Sequence, residues 1–572
     1  MQIMNFSSAN CKNCYKCVRT CVVKAIEVKD DQAQIIEDRC VACGQCLVVC
    51  PQNARNILSH VDDVKEKIAQ GANVVATLAP AYRGFFKEDR KFIGGLKKLG
   101  FSSIQETSIG AELVSREYEK LINEREDREL ITSCCPSVIM MIERYYPELI
   151  PSVLPVLSPM MAHGKVIKSQ EPDSYVVFIG PCFSKTCESM STGMEGIIDS
   201  VITFDEISQW FDNDGIDYTK CQELDPDESG TLRGHRYPLV GGIISSVRDT
   251  LDEKDMGVLR VHTVENCKTV LEEIRDGGLH NVCVELSACN ESCLGGPGGI
   301  SNEETPYARL QNLQKHVYNM KKLEENEGQE NIKLPKVDLS RSFTNKKFQG
   351  EMPSPEELEI ILKKMGKYDY SDELNCSACG YNTCRDKAVA VYQGMSQVEM
   401  CLPNMRNKAE RMSNKIFTHS PNAIIVLDSN LVIEELNGSA EEVFGCQNET
   451  IKGKPFSLIM DDSDFKEAID KKCSRFKEKI SYPQYNYIAY RNIVYLEKQN
   501  ALLLIFTGIT EEEKRKKELA GLKQELMEVT QEIIDKQMRT VQEIAGLLGE
   551  STSETKVAFL KLQKVLEEEG DV

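Results

Sequence analysis

Leu130 to Val138 reads LITSCCPSV. Two adjacent cysteines, Cys134 and Cys135, follow a short apolar run and stand directly before Pro136. Successive side chains on an extended chain diverge, so the two thiols do not easily serve one small site. Three readings are open here. Both are ligands, or one is a reactive thiol, or both are small buried apolar residues.

Two further stretches have the same form. GPCFSKTCE, from Gly180 to Glu188, supplies Cys182, Lys185 and Glu188. ELSACNESCLGGPGG, from Glu285 to Gly299, supplies Cys289 and Cys293 before a glycine-rich tail. Each follows a strand-like run, as in SYVVFIGP and HNVCVEL. Loops after such strands carry the chemistry of α/β proteins, here expected at one edge of a sheet. Cys135, Cys182, Cys289 and Cys293 satisfy one 4Fe–4S cluster and leave Cys134 as a free thiol beside it.

Composition sets the frame. The chain has 572 residues, 28% of them charged, and a net charge of -20. That length suggests three to five domains. The negative balance and the lack of a local basic face argue against nucleic acid. No apolar run approaches the roughly 20 residues of a membrane span, and MQIMNFSSANCKNC has no signal pattern, so no membrane and a cytoplasmic location are expected. Cysteine is the informative residue, with 23 copies, mostly clustered. In a cytosolic chain, clustering favours metal over disulfides. Cys221, Cys267, Cys283, Cys446 and Cys473 stand alone and read as small buried hydrophobes.

The densest clusters come first. CKNCYKCVRTC and CVACGQCLVVCP repeat one spacing, the signature of a two-cluster bacterial-type ferredoxin domain. In that pattern the fourth cysteine of each run serves the other cluster. Cys11, Cys14, Cys17 and Cys50 are expected to hold one 4Fe–4S cluster, and Cys40, Cys43, Cys46 and Cys21 the second. Val22 replaces the proline that often follows the first run. Further along, Cys376, Cys379 and Cys384 form a tight group, with Cys401 after a helical stretch. This reads as another 4Fe–4S site, with zinc as the alternative.

The expected fold class is multidomain α/β. It comprises a two-cluster ferredoxin domain over 1–60, an α/β domain over 61–325 and a linker over 326–356. An additional 4Fe–4S domain over 357–408, an α+β domain over 409–510 and a helical coiled-coil segment over 511–572 follow. Leu519, Leu522, Leu526, Val529 and Ile533 step by three and four, a coiled-coil seam or the face of a simple amphipathic helix.

The three cysteine motifs, in this order and behind the ferredoxin pattern, resemble the iron-iron hydrogenases. The likeness continues in TLAPAYR, YYPEL, LSPMMAHGKVIK, IDSVITFDEISQW and GGIISSVRDTL. The resemblance implies an H-cluster: a 4Fe–4S cubane on Cys135, Cys182, Cys289 and Cys293, bridged by Cys293 to a two-iron azadithiolate unit with CO and cyanide. It assigns Lys185 to a cyanide and Cys134 to proton transfer, which a thiol of near-neutral pKa suits. It places Ala79, Pro80, Ser158 and Pro159 around the two-iron unit. Gly180 and Ser287 stand where catalytic members carry methionine, and Val138 where they carry tryptophan. Their proton path of two glutamates and a serine is replaced by Tyr118, Leu121 and Leu154, with Glu117 or Glu119 as a possible detour.

Residues 409–510 resemble a PAS domain, on SPNAIIVLD, Asn437 and EEVFG. His419, the sole histidine there, reads as solvent-facing or capping. The whole is similar to sensory hydrogenases. The expected function is dihydrogen or redox sensing with slow reversible hydrogen chemistry, of the hydrogen:ferredoxin oxidoreductase type. The expected partners are dihydrogen and protons, a redox partner such as ferredoxin, a kinase or phosphatase downstream, and a second copy in a homodimer. The alternatives are a competent ferredoxin-linked hydrogenase and a non-catalytic hydrogenase-like iron–sulfur protein.

Overall fold

The computed structural model describes residues 4–6, 10–29, 32–126, 128–299, 305–327, 335–348, 350–548 and 553–568. The chain divides into two units, Met1–Met405 and Arg406–Val572.

The first unit opens with the expected ferredoxin pattern. Strands β1 (Met4–Phe6) and β4 (Arg55–Ile57) pair antiparallel, as do β2 (Ile26–Lys29) and β3 (Gln32–Ile35). Cys17 lies on the short helix Lys16–Thr20 and Cys46 on Gln45–Val48. Gly44 precedes the second helix at φ 74°. A Cβ there would lie 2.2 Å from the Phe183 ring and 2.5 Å from Pro297, so only glycine lets this turn seat against the next domain.

Two parallel sheets follow. One has the order β6-β5-β8-β9, from Ser103–Glu106, Val74–Leu78, Tyr175–Gly180 and Ser200–Thr203. The other has the order β10-β11-β7, from Gly257–His262, Val282–Ser287 and Glu129–Ile131. All five residues of β5 and all six of β11 are buried, as expected of strands covered on both faces. The cysteine loops therefore leave two sheets, where the sequence suggested one. Parallel strands send their chains out at the same end, so two sheets can present their loops to one place.

The stretch expected as linker is extended but docked. Among its described residues, Ser340 bridges Val156 antiparallel, and the Leu157 N–H donates to Leu339 O at 2.9 Å. Lys346 pairs with Glu143, and Arg341 with the buried Glu188. Polar composition masked this, because the contacts are backbone hydrogen bonds and ion pairs. Of the isolated cysteines, Cys267 and Cys283 are buried as expected, whereas Cys221, Cys446 and Cys473 are only half-buried.

In the second unit, β12 (Ala423–Leu427), β13 (Ile433–Leu436), β14 (Arg475–Tyr482), β15 (Tyr487–Leu496) and β16 (Ala501–Gly508) form an antiparallel sheet of order β13-β12-β16-β15-β14. Asn437 is buried; its Oδ1 accepts from Ala440 N at the start of helix Gly438–Phe444, and its amide donates to the Phe417 and Asn422 carbonyls. His419 is exposed. A single helix spans Thr510–Leu548. Leu519, Leu522, Leu526, Val529 and Ile533 all lie exposed along it, so the seam is not packed on the PAS-like sheet.

Candidate functional site

The site gathers at the carboxyl ends of β5, β7, β8 and β11. Cys135 is the residue before helix Pro136–Tyr145, with Pro136 at the first helical position, where its missing N–H costs nothing. Cys182 follows β8 across Pro181, and Cys289 and Cys293 follow β11. Burial, then repulsion from Cys182, Cys135 and Cys293, holds the Cys289 thiol well above its ordinary range. That mutual repulsion places the four thiols near one another. Among the described residues, no three His, Cys, Asp or Glu stand close enough to grip a single ion.

Lys185 lies over this group, its side chain 12% exposed. Its Nζ donates to Cys134 O at 3.3 Å and to Glu188 Oε2 at 2.7 Å. An ammonium has three N–H groups, so one is left for an acceptor in the site. Burial alone would lower its pKa, but Glu188 outweighs burial and raises it. Glu188 is itself held down by Lys185 and Arg341 against the pull of burial. Ser158, fully buried at the start of helix Pro159–Gln170, donates to Glu188 Oε2 at 2.9 Å. Ala79 and Pro80 are buried just beyond β5. Gly180 ends β8, and a Cβ there would lie 2.7 Å from the Phe178 ring and 3.1 Å from Ala79 Cβ. Phe178 fills the space a longer side chain would enter. The Ser287 hydroxyl lies 3.0 Å from the Ser292 hydroxyl.

The proton line ends inside the protein. Tyr118 is fully buried, its hydroxyl 3.4 Å from Cys134 Sγ and 2.9 Å from Ser133 Oγ. Ser133 Oγ in turn donates to Val156 O at 2.7 Å. A carbonyl releases no proton, so this chain stops there. Leu154 is fully buried. Glu117 pairs with Lys120 and Glu119 with Arg233, both toward the surface. Burial pushes the Cys134 thiol up to about 12, with partial relief from Tyr118 and Lys185.

Sequence reasoning missed Glu285. It is buried in the middle of β11, accepting from Gly241 N at 2.8 Å and Ile244 N at 2.9 Å. Burial raises it to about 7 despite those N–H groups, and its charge reaches Cys134. A glutamate inside an otherwise apolar strand, VCVELS, was the available signal.

The ferredoxin sites abut this centre. Cys43 is raised by burial and then by Cys21, Cys46 and Cys40, so those four thiols lie near one another. Cys43 in turn acts on Cys289. Arg144, on the helix after Cys135, donates to Cys40 O at 2.6 Å. Cys11, Cys14, Cys17 and Cys50 lie in the same small domain. Cys187, also passed over in the sequence, is raised by burial up to about 12, with Cys40 and Cys182 as neighbours.

The last expected site is a separate cavity lined by Cys376, Cys379, Cys384 and Cys401 together with Lys367 and Lys387. Cys384 begins helix Cys384–Tyr392, capped by Thr383 in a capping box with Asp386. Lys387 is fully buried, donates to Gln397 O at 2.7 Å and to Ser396 Oγ, and burial lowers it to about 8.

Comparison with known proteins agrees with this geometry. Residues 72–297 match the C-terminal domain of the family described as iron only hydrogenase large subunit. Residues 10–54 match a 4Fe-4S dicluster domain, 372–403 an Fe-S cluster family, and 417–474 the PAS fold. The NADP-reducing hydrogenase subunit HndD of Solidesulfovibrio fructosivorans is 23% identical over 362 residues, 50% of this chain and 62% of that protein. Iron hydrogenase 1 of Clostridium pasteurianum is 26% identical, over 42% of this chain and 48% of that protein. The cytosolic Fe-S cluster assembly factor NAR1 of Vanderwaltozyma polyspora is 30% identical, over 29% of this chain and 34% of that protein. The chain thus spans about half to three-fifths of the length of the first two relatives. Among solved structures, an apo [FeFe]-hydrogenase HydA1 variant from Chlamydomonas reinhardtii aligns at 20% identity and a TM-score of 0.40, over 51% of this chain and all of that one. No helix among the described residues is long and apolar enough to cross a membrane. In chain order, then, a match to a 4Fe-4S dicluster domain precedes a match to an iron-only hydrogenase C-terminal domain, and a match to the PAS fold follows.

Proposed function

We propose that this protein senses dihydrogen, or the redox state it sets, at a slow hydrogenase centre and signals through its PAS domain and terminal helix. The observation that carries the reading is the pairing of a complete ligand set with a blocked proton line. Cys135, Cys182, Cys289 and Cys293 would hold the cubane, with Cys293 bridging to the two-iron unit, and Lys185 keeps one N–H free for a cyanide. When bound, that group supplies the site where dihydrogen is split or formed.

The chain's own residues then govern how protons come and go. Cys134 holds its proton tightly, because burial disfavours the thiolate. Tyr118 and Ser133 lead to a backbone carbonyl, where relay ends. Glu285, raised by burial to about 7, is the next titratable group that acts on Cys134 and stands as the candidate relay beyond the thiol. Electrons leave through the ferredoxin-like sites, whose Cys43 acts on Cys289. Low turnover suits a detector, which needs a change of state and not flux. A ferredoxin-type protein is the redox partner, a kinase or phosphatase the downstream one, and a second copy pairs along the exposed Leu519–Ile533 seam, which would otherwise leave apolar surface in water.

A second reading has a specific observation behind it. Phe178 packs where Gly180 leaves room, so the two-iron pocket differs from that of catalytic members, and the chain matches an assembly factor as well as hydrogenases. A non-catalytic iron–sulfur protein follows if the two-iron unit is not inserted.

The sensing claim is tested by hydrogen exchange in residues 510–548, and by partner binding, under dihydrogen and under argon. A coupling of about 1–3 kcal/mol is expected. Equal values in the two gases leave a slow enzyme and no sensor.

A further inference from the structure

We propose that Lys387, with Lys367 across the same cavity, raises the reduction potential of the cluster on Cys376, Cys379, Cys384 and Cys401, and so makes this site the place where electrons come to rest. The inference rests on the reading of that cavity as a 4Fe–4S site. It concerns what the surrounding protein does to the cluster's electrons.

Both lysines are buried, Lys387 at 0% and Lys367 at 7% exposure. Neither forms an ion pair among the described residues. Lys387 has only neutral acceptors, Gln397 O and Ser396 Oγ, and the face of Tyr381 with its ring centre 5.4 Å away. A buried ammonium without a counter-charge is costly. The thiolates it shares the cavity with are its foremost negative partners: Cys379 and Cys401 act on Lys387 ahead of Glu399, and Lys367 acts on Cys384 as well as on Asp372. A cluster gains one further negative charge on reduction. Fixed cations in a low-dielectric setting favour that state, so the pair raises the potential.

The position of the cavity gives this charge a use. Gly380, at φ 92°, lies against the ferredoxin domain, and a Cβ on it would meet Val18 and the Arg19 N–H at 3.0–3.1 Å. Arg19 donates to Cys14 O at 3.0 Å and to Ala378 O at 3.4 Å, joining the two cysteine loops directly. Tyr381 is buried in the same apolar cluster as Val18, Ile26 and Val28. Lys24 feels both Cys21 and Cys379. One electron thus passes from the ferredoxin-like sites, which are oxidised by one, to the 376–401 site, which is reduced by one. No bond forms or breaks, and dihydrogen is the ultimate reductant.

The test is a potentiometric titration of the full chain, reconstituted with iron and sulfide, with dithionite as reductant and paramagnetic resonance as readout. The signal lost in Cys379→Ala identifies the cluster. In Lys387→Met its reduced-to-oxidised ratio at a fixed potential should fall about tenfold, which is about 59 mV for a one-electron couple. Lys387→Arg should restore most of that, and Lys367→Met should shift the ratio the same way. Unmoved ratios in both Met variants, with iron retained, overturn the proposal. Should Lys387→Met lose iron, the Lys367→Met ratio alone decides. If no wild-type signal disappears in Cys379→Ala and the cavity instead holds zinc, the cluster reading falls, and this inference falls with it.

Discussion

Two sites in the first unit each join four cysteines to a lysine, and the lysines are held in opposite ways. At the strand-end site, Lys185 is paired with the buried Glu188, which Arg341 also holds. At the 376–401 cavity, Lys387 has neutral acceptors only. Each arrangement suits a different task. A neutralised lysine is fixed in direction and serves as an aimed hydrogen-bond donor. An unneutralised one contributes net charge and acts on the energy of an added electron. The same residue type beside the same ligand type is thus set for geometry in one place and for potential in the other.

Ligand removal should break the comparison most sharply. Fully loaded, the chain should carry about 18 irons if four 4Fe–4S clusters and a two-iron unit are present. Cys293→Ala should remove the two-iron unit, whereas Cys379→Ala should cost about four irons and leave hydrogen chemistry in place. Iron and zinc analysis checks both, and one zinc with about 14 irons would mean that the smaller cavity is a zinc site.

Next in size is the proton carrier. Cys134→Ala should keep the centre assembled and lower an already slow turnover by a factor on the order of 10²–10⁴, the usual worth of a positioned acid. An unchanged rate would mean that protons bypass the thiol.

The charge triad gives a stability effect. Glu188→Gln leaves Lys185 and Arg341 buried without their anion, and should destabilise the unit by about 3–5 kcal/mol. Denaturant titration against Lys346→Met, whose side chain is half exposed in its pair with Glu143, separates this from a surface effect of about 0–1 kcal/mol.

The pH dependence comes last. Glu285 is raised from 4.5 to about 7 in the folded chain, so the fold binds its proton more tightly than the unfolded chain does. That stabilisation is fully present below pH 4.5 and is lost as pH rises through about 7. Glu285→Gln should flatten the fall, by up to ~3 kcal/mol at about 1.4 kcal/mol per pH step. Thermal unfolding at pH 5 and pH 8 measures it, and parallel profiles would remove Glu285 from the account.

Much of this was legible in the sequence because cysteine spacing is local. The two ferredoxin runs and the 376–401 group declare themselves by short gaps, and the strand runs by continuous apolar residues. What stayed hidden depends on contacts distant in sequence. Arg341 reaches Glu188 from a stretch that reads as linker, and Ser340 bridges Val156 across an isolated contact. The burial that raises the Cys134 thiol is hidden too, because a motif shows neighbours along the chain and not burial. The effect of Glu285 on Cys134 likewise arises between strands distant in sequence.

Infrared spectroscopy of protein produced with the maturation machinery tests the central claim most directly. The account predicts CO and cyanide bands in the wild type, retained in Cys134→Ala, absent in Cys293→Ala, and shifted when dihydrogen replaces argon. Wild-type protein with its full set of 4Fe–4S clusters but no such bands would contradict it, and would make this chain an iron–sulfur protein without hydrogen chemistry.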